Sequence, residues 1–337
     1  MDSNRTQPDR LDLAFTGIPV FLRSPIVTDL ANLDADFAFL GFPSDEGTGW
    51  YPGSRFGPRS IREMSLRFAS CNTGAAAGFW DIDEGKRYLQ AEMEQNRIVD
   101  CGDVDVIYTR PDLTWDKGTE AVRQIIAGGA LPLIGGGDHA ATFSVARAFD
   151  HPFQVVHFDA HLDYQPYTHS VQHSHGNPIR KVKELANVRN LTQVGIRSYR
   201  SVQEDYLDSV RDGNFVLTTK QYQAGGNDRL FPTLQPDLPV YLSVDVDVLD
   251  MTLAPGVGTP EPSGLLYDQL RDAMCGIADE FDVCGLDMVE LNPLMDSANK
   301  STAFLTTQLM VEFMGHVAQR RAGQRAAAAN QSVNGSR

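Results

Sequence analysis

Six side chains of the types that bind metal ions follow three apolar runs of this sequence. They are His139, Asp159, His161, Asp163, Asp245 and Asp247. In an extended chain, residues i and i+2 point to the same side. Asp159 and His161 can therefore face one point, and so can Asp245 and Asp247. The spacing predicts that three strand ends gather carboxylates and imidazoles in one place.

A cluster of this kind needs compensating positive charge. Four or more carboxylates in one place repel one another and raise each other's pKa unless cations neutralise them. Oxygen-rich ligand sets with a minority of imidazoles suit Mn²⁺ and neighbouring ions such as Ni²⁺ better than a structural zinc. Six ligands are too many for one catalytic ion that must also hold water, whereas two ions that share carboxylates accommodate them and activate a water. The sequence therefore predicts two divalent ions.

Single residues of this kind also have simpler explanations. A lone Asp at a strand end usually forms a turn or a helix N-cap, and a lone His is usually a hydrogen-bonded polar group. We apply the simpler explanation to Asp138 and Asp250, which lie beside the cluster residues. For the six residues above, joint occurrence at three strand ends favours metal binding.

Short apolar runs alternate with helical patterns along the chain, and these elements must position the cluster. The runs lie at 36–42, 97–104, 131–138, 153–160, 191–196, 239–248 and 283–291. The helical patterns lie at 119–129, 141–149, 265–280 and 302–323. Runs that are apolar throughout are typical of parallel strands buried on both faces. The alternation predicts a three-layer α/β domain, in which ligands bind beyond the carboxyl ends of the strands.

Composition narrows the class of protein. The formal charge of -15 over 337 residues disfavours a nucleic-acid or anionic-membrane partner. The four cysteines lie far apart without a CxxC pair, so neither a thiolate zinc site nor a disulfide framework is indicated. No signal pattern or apolar run of about 20 residues is present. We expect a cytoplasmic protein of one domain over 1–337, with its core at about 36–320 and mobile ends at the first dozen residues and at 326–337.

Five motifs, in fixed order, resemble the ureohydrolases, the family of arginase, agmatinase and guanidinobutyrase. They are GGGDHA, DAHLD, SVDVDVLD, APGVGTPEPSGL and GLDMVELNP. The resemblance implies an arginase-like fold with a mostly parallel sheet of about eight strands. It also implies that one ion is held by His139, Asp159, Asp163 and Asp245, and the other by Asp159, His161, Asp245 and Asp247. Asp159 and Asp245 would then bridge the two ions.

The same resemblance assigns catalytic roles to three residues. Asp163 would pass a proton to the leaving amine, His175 would exchange protons with solvent, and Glu290 would hold the substrate guanidinium. His169 and His173 lie close to His175 in the sequence and compete with it for that role, although a solvated loop explains them more simply. For Glu290, the competing explanation is a buried salt bridge to an arginine.

The resemblance leaves the substrate within a class of guanidino compounds. Three loops would select it, at 43–56, 71–89 and 164–180. Small and aromatic residues around Phe79 and Trp80, with Tyr164 and Tyr167, suit a compact or alkylated guanidine, and no arginine stands out as the partner of a carboxylate handle. We therefore expect hydrolysis of guanidine, a substituted guanidine or a biguanide to urea or a urea derivative plus an amine or ammonia. An agmatinase or a guanidinobutyrase with the same mechanism is the alternative.

Two other classes of protein stay open. The chain could be a non-catalytic partner subunit of a hetero-oligomeric ureohydrolase, against which the intact set of six ligands argues. It could also be a deacetylase of similar architecture that uses one zinc, against which the ligands for a second ion argue. The resemblance further implies a homo- or hetero-oligomer, as a trimer or hexamer, and an accessory protein for metal loading if the ion is nickel.

Overall fold

The computed structural model describes three stretches of the chain, residues 13–69, 78–168 and 171–334, with side chains described through residue 329. The first dozen residues, which the sequence predicts to be mobile, lie outside the described residues, and so do residues 335–337 at the end of the tail. None of the helices in these stretches combines the length and the apolar character that crossing a membrane requires.

The described residues contain ten β-strands, eight of which form one sheet. The strands are β1 (Phe37–Gly41), β2 (Phe79–Asp81), β3 (Lys86–Tyr88), β4 (Ile98–Asp103), β5 (Leu131–Gly135), β6 (Phe153–Phe158), β7 (Val188–Ile196), β8 (Phe215–Thr218), β9 (Val240–Asp245) and β10 (Val283–Val289). The large sheet has the order β4-β1-β5-β10-β9-β6-β7-β8, and every pair in it is parallel. Strands β2 and β3 form a separate antiparallel hairpin. The predicted eight-stranded, mostly parallel sheet is thus confirmed.

Ten α-helices connect or follow these strands in the described chain. They are α1 (Gly57–Ser65), α2 (Gln90–Glu94), α3 (Pro111–Ala127), α4 (Ala141–Ala146), α5 (Pro178–Lys183), α6 (Gln203–Arg211), α7 (Thr219–Gln223), α8 (Asn227–Leu230), α9 (Tyr267–Glu280) and α10 (Ser301–Asn334). The parallel strands need such crossover connections because a short turn can join only antiparallel strands.

Two hydrophobic clusters cover the two faces of the large sheet. In β1, Phe37 and Phe39 belong to one cluster, whereas Leu40 belongs to the other, as the side-chain period of a strand requires. The first cluster includes apolar side chains of α1, α9 and α10, and the second includes those of α3, α4 and α5. The predicted three-layer α/β architecture is confirmed.

The four predicted helical patterns correspond to α3, α4, α9 and α10, whereas other helices, such as α5 and α6, were not predicted. All seven predicted strands are present, but β8 and the β2–β3 hairpin were not predicted, and the hairpin occupies the end of the predicted loop at 71–89. Helix α10 continues past its predicted end at residue 323 to Asn334, into the tail predicted to be mobile. Its extension contains four consecutive alanines, which have the highest helix propensity.

Strand β10, the last in the described part of the chain, lies near the middle of the sheet. Strand β10 pairs with β5 on one side and with β9 on the other, and β9 in turn pairs with β6. The carboxyl ends of these four neighbouring strands therefore open at the same edge of the sheet, where α/β proteins bind ligands.

Candidate metal centre

The four central strands deliver the predicted site residues to one place. His139 follows β5, Asp159 comes directly after β6, Asp245 is the last residue of β9, and Glu290 comes directly after β10. All four are buried, with at most 3% of the residue exposed. The remaining predicted residues lie in the loops that continue from β6 and β9, so the structure brings all eight together at one sheet edge.

One group of atoms surrounds the imidazole of His139. Its Nδ1 atom lies 3.1 Å from Asp159 Oδ2, 3.0 Å from Asp163 Oδ2 and 3.4 Å from Asp245 Oδ2. This Nδ1 atom is fully buried and makes no hydrogen bond of acceptable geometry. Three carboxylate oxygens around an imidazole nitrogen that lacks a hydrogen bond form a donor set that fits a divalent ion.

A second group lies beside the first and shares Asp159 with it. His161 Nδ1 lies 3.0 Å from Asp247 Oδ2 and 3.4 Å from Asp159 Oδ1. One ligand atom from each of these three residues falls within 4.8 Å of the other two, and the same holds for His139, Asp159 and Asp163 in the first group. Two overlapping donor sets with a shared carboxylate are the arrangement that a pair of ions needs.

Charge at the site is unbalanced in the absence of cations. Burial raises the pKa of Asp245 well above its ordinary value, and repulsion from Asp247 and Asp159 raises it further. Burial opposes a charge on His161, but Asp247 and Asp159 outweigh this and raise its pKa to about 12. Asp245 and His161 thus both favour their protonated forms, because the cluster attracts positive charge. Divalent ions supply that charge without protons.

Backbone N–H groups hold the carboxylates in place. Asp247 N donates to Asp245 Oδ1 at 2.8 Å, and Ala160 N donates to Asp247 Oδ1 at 3.1 Å. The hydroxyl of Thr259 donates to Asp247 Oδ2 at 3.1 Å. These bonds link the loops after β6 and β9, so the two halves of the site are positioned by each other.

Behind Asp159, a chain of buried side chains fixes its orientation. Gln193 Oε1 accepts a hydrogen bond from Ser209 Oγ at 2.7 Å, so its Nε2 atom faces Leu162 O at 2.7 Å and His157 Nδ1 at 3.1 Å. His157 Nδ1 therefore accepts, and His157 Nε2–H donates to Asp159 Oδ2 at 2.8 Å. His157 is among the residues close enough to hold an ion, but both of its ring nitrogens are occupied by hydrogen bonds, which suits it to orienting Asp159.

His157 and Gln193 were not predicted as part of the site. Both are fully buried, on β6 and β7. A polar residue two positions before Asp159 in an otherwise apolar run was the available signal, because residues i and i+2 of a strand point to the same side.

His139 has an equivalent support on its other ring nitrogen. His139 Nε2 and Ser243 Oγ are 3.0 Å apart, and Ser243 contacts Thr142, whose hydroxyl donates to Asp287 Oδ2 at 2.8 Å. The Tyr241 hydroxyl also donates to Asp287. The second nitrogen of this imidazole is thus hydrogen-bonded, which leaves Nδ1 directed at the carboxylates.

Glu290 and His175 form a pair at the side of the cluster. Glu290 Oε1 accepts from the His139 backbone N–H at 2.9 Å and lies 3.1 Å from His175 Nδ1. Among the described residues its ionic partner is His175, so the competing prediction of a buried salt bridge to arginine is not met. Burial opposes a charge on His175, but Glu290 outweighs it and raises the pKa of His175 to about 9.

The backbone is strained at two of these residues. Asp163 has φ 48° and Glu290 has φ 62°, a region that non-glycine residues rarely adopt. Glu290 is held there by its N–H, which donates to Gly137 O at 2.8 Å. Strained backbone conformations of this kind persist only where surrounding contacts hold them in place, and they are frequent at functional sites.

The other two histidines of the loop have different surroundings. His173 packs edge-on against the Trp115 ring, with 4.2 Å between the ring centroids, and burial lowers its pKa. His169 lies outside the described residues. His175 is therefore the histidine of this loop that the structure places beside Glu290.

A cavity of about 70 Å³ opens over the cluster. Its wall includes Glu290, His175 and Tyr164, and also Arg200 and Asp205, which sequence reasoning missed. Arg200 and Asp205 come from the β7–α6 connection and the first turn of α6. No local pattern in the sequence identifies this connection as part of the site.

The expectation that Phe79 and Trp80 line the same cavity is wrong. They lie on the β2–β3 hairpin and line a second cavity of about 450 Å³, together with residues of α9 and α10 such as Arg271 and His316. The hairpin packs on the outer helical layer because Tyr88 stacks on His316, with 5.1 Å between the ring centroids.

Asp138 and Asp250 take the simpler roles predicted for them. Asp138 accepts hydrogen bonds from Gly47 N at 2.7 Å and Ala140 N at 3.2 Å. Asp250 accepts from Thr252 N and Gly264 N, both at 3.0 Å. Each carboxylate therefore closes a local turn and also holds a loop that is more distant in the sequence.

Comparison with known proteins agrees with this geometry. The family model described as the arginase family matches residues 35–315. The chain is similar to the mitochondrial guanidino acid hydrolase of Homo sapiens, with 31% identity over 93% of this chain and 87% of that protein. It is also similar to the mitochondrial agmatinase of Gallus gallus, with 32% identity over 88% and 85%. Among solved structures, it resembles proclavaminate amidino hydrolase from Streptomyces clavuligerus, with a TM-score of 0.79 and 29% identity over 91% of this chain and 99% of that chain.

Proposed function

Because this chain belongs to the arginase family, we propose that it hydrolyses a C–N bond of a guanidino compound, giving urea or a urea derivative and an amine or ammonia. The observation that carries the proposal is the pair of overlapping donor sets that share Asp159, located beside the buried carboxylate of Glu290. The two donor sets are suited to holding ions that activate water. The carboxylate of Glu290 is suited to holding a guanidinium.

The first donor set would hold one divalent ion and the second would hold another. The proposed ligands are His139, Asp159, Asp163 and Asp245 for one ion, and Asp159, His161, Asp245 and Asp247 for the other. When bound, such a pair supplies Lewis acidity and lowers the pKa of a bound water. The two hydrogen-bonded networks behind His139 and Asp159 keep the donor atoms aimed at these positions.

Glu290 would receive the guanidinium. A planar guanidinium pairs with a carboxylate through two N–H groups. The His139 N–H and His175 both contact Glu290 Oε1, which leaves Glu290 Oε2 with no hydrogen bond to the protein in the described chain. The buried position strengthens the attraction, because water does not screen it.

Asp163 and His175 would move protons. Asp163 Oδ2 lies at the first donor set, 3.0 Å from His139 Nδ1, where it can take a proton from the nucleophile and pass it to the leaving nitrogen. His175 has 20% of its side chain exposed, so its imidazole contacts both the cavity and solvent. A histidine so placed can exchange protons between them.

The charge of the cavity wall bears on the substrate. Its lining includes the carboxyl groups of Asp163, Asp205 and Glu290, which attract a cationic compound, and we propose guanidine, a substituted guanidine or a biguanide. The second candidate is agmatine or guanidinobutyrate hydrolysis by the same mechanism, and the names of similar proteins favour it, since they include agmatinase and guanidinobutyrase.

The remaining proposals concern metal and partners. We propose Mn²⁺ or Ni²⁺ as the ions, a homo- or hetero-oligomer as the assembly, and a metal-loading accessory protein in the nickel case. The trimeric or hexameric state and the cytoplasmic location stay predictions. Two ions per chain would separate this function from a one-zinc deacetylase.

A turnover screen tests the proposal. The protein is loaded separately with Mn²⁺ and Ni²⁺, and release of urea and ammonia is measured across guanidino compounds, with metal content per chain determined by elemental analysis.

Asp245→Asn should lose metal and turnover, whereas Glu290→Gln should keep the metal and lose turnover. Asp250→Asn is the matched control, because Asp250 closes a turn in the same segment. Full activity in Asp245→Asn contradicts the proposed metal site, and no product from any compound contradicts the enzymatic function and favours a non-catalytic subunit.

A further inference from the structure

The segment with the sequence APGVGTPEPSGL lies against the second donor set. It occupies residues 254–265. Thr259, within it, donates a hydrogen bond to Asp247 Oδ2 at 3.1 Å. Two positions later, Glu261 Oε1 lies 3.5 Å from Nε2 of His161. One short segment thus contacts two proposed ligands of the same ion.

The imidazole of His161 has one nitrogen at the donor set and one directed away from it. Its Nδ1 atom lies 3.0 Å from Asp247 Oδ2, so this nitrogen belongs to the donor set. Its Nε2 atom is fully buried and makes no hydrogen bond of acceptable geometry with the described residues, which is unusual for a buried polar atom. The ionic partner of Nε2 in the described stretches is Glu261.

An ion at the second donor set would fix the position of the proton on this ring. A neutral imidazole that binds a metal ion through one nitrogen carries its proton on the other. With Nδ1 of His161 as the ligand atom, the proton is on Nε2 and faces Glu261. Ligating histidines commonly donate this N–H to a carboxylate, which fixes the orientation of the ring and raises its basicity as a ligand.

Glu261 is itself held in position by the segment that follows β7. Ser198 is buried, accepts a hydrogen bond from Arg200 N at 3.1 Å and donates its hydroxyl proton to Glu261 Oε1 at 2.5 Å. Arg197 donates to the carbonyl oxygen of Glu261 at 3.0 Å and to that of Asp247 at 2.8 Å. Both the carboxylate and the backbone of Glu261 are therefore fixed relative to the loop that follows β9.

We propose that Glu261 is a positioning residue for the second ion, which accepts the Nε2–H of His161 and holds the ring as a ligand. This inference rests on the proposed function and gives His161 the kind of support that Ser243 gives His139. The competing explanation is that Glu261 only ties its own segment to Ser198. The two explanations differ in the metal affinity that they predict for variants of Glu261.

The test measures Mn²⁺ binding to the full chain by electron paramagnetic resonance, which distinguishes free from bound ions and an adjacent pair of ions from a single ion. Glu261→Leu removes the acceptor. It should lower the affinity for one ion of the pair about 10- to 100-fold, the usual effect of losing such a partner, so that the spectrum of a single ion replaces that of the pair at intermediate Mn²⁺ concentrations.

A second variant applies if Glu261→Leu does not fold. Glu261→Gln keeps an acceptor of the same shape but loses the charge. It should lower the affinity for the same ion about 5- to 10-fold, because a hydrogen bond to a charged group is stronger than one between neutral groups. Wild-type affinity in Glu261→Gln overturns the inference.

Glu312→Leu is the matched control. The side chain of Glu312 is 22% exposed, against 16% for Glu261, and it accepts hydrogen bonds from Tyr267 and Arg271, but it lies on α10 and lines the second cavity. Both leucine variants should lower the melting temperature of the metal-free protein, whereas Glu312→Leu should keep the wild-type affinity for both ions. Equal metal affinity in Glu261→Leu and Glu312→Leu overturns the inference.

A double-mutant cycle tests whether Ser198 acts through Glu261. Ser198→Ala should lower the affinity for the same ion in the wild-type background, because the carboxylate of Glu261 loses the hydroxyl that holds it. It should have no further effect in the Glu261→Leu background, since coupled residues are not additive. Equal effects of Ser198→Ala in the two backgrounds contradict the proposed role of Glu261.

These binding measurements need no substrate, so they separate this inference from the proposed function. Wild-type metal affinity in Glu261→Leu, in a protein that hydrolyses a guanidino compound, overturns this inference alone. Reduced affinity in Glu261→Leu, in a protein that hydrolyses no such compound, supports this inference and contradicts the proposed function. A wild-type protein that binds a single ion contradicts both.

Discussion

Replacing His157 with phenylalanine should weaken metal binding without unfolding the protein. His157 is fully buried and donates to Asp159 Oδ2 at 2.8 Å, while Gln193 donates to its other nitrogen at 3.1 Å. Phenylalanine fills the space but removes both bonds. A hydrogen bond to a charged group contributes about 1.5–3 kcal/mol, and loss of such a partner typically weakens metal binding about 10- to 100-fold. We expect a reduction in that range, because Asp159 belongs to both donor sets.

The assay is a competition titration, in which a chromogenic chelator and the protein compete for Mn²⁺ or Ni²⁺. His316→Phe is the control, because His316 is also buried and hydrogen-bonded to a carboxylate, Asp279, but lies on α10. Both variants should lower the melting temperature of the metal-free protein, whereas only His157→Phe should lower metal affinity. Equal metal affinity in His157→Phe and His316→Phe would refute the assigned role of His157.

Two further predictions concern the scaffold. Arg62 is 8% exposed and makes two hydrogen bonds with Asp100 at 2.8 and 2.9 Å. Arg62→Ala should therefore reduce the free energy of unfolding, measured in urea, by about 3–5 kcal/mol, the usual result of leaving one buried charge unpaired. Arg97→Ala removes a more exposed ion pair and should reduce it by at most about 1 kcal/mol, so equal reductions would contradict the difference between buried and exposed pairs. Burial raises the pKa of the Cys101 thiol to about 12, and the reactive thiolate forms only as the pH approaches that pKa. At pH 8, alkylation of Cys101 should therefore be about a thousandfold slower in the folded protein than in the unfolded protein. Peptide mass spectrometry measures the two rates. Comparable rates in the two states would contradict the buried position.

The grouping of the site residues could be predicted because two simple rules act together. Asp159 and His161 share one side of an extended segment, and parallel strands end at a common edge. Neither rule required knowledge of the order of the strands. The structure adds that β5, β10, β9 and β6 are neighbours, which is why their ends meet.

The supporting residues were less accessible to these rules. The i, i+2 spacing places His157 on the same side of its strand as Asp159, but it does not indicate whether His157 is a ligand, a support for a ligand or a polar residue of the core. Asp205 depends on where the β7–α6 connection crosses the sheet edge, which is a property of the tertiary fold. For Phe79 and Trp80, aromatic character indicated a binding surface, but the hairpin packs on helices and not on the metal edge.

The position of β10 constrains how the protein is made. This strand leaves the ribosome after the seven other strands of the sheet, yet it fills the gap between β5 and β9. Until residues 283–289 are synthesised, those two strands have unpaired edges, which are the surfaces through which unfinished chains aggregate. The contacts between β5 and β10 join residues about 150 positions apart, such as Leu133 and Leu286, and such non-local pairing is slow. The same step brings Glu290 to His139. The nascent chain therefore completes its sheet and positions Glu290, the proposed partner of the substrate guanidinium, in a single late event.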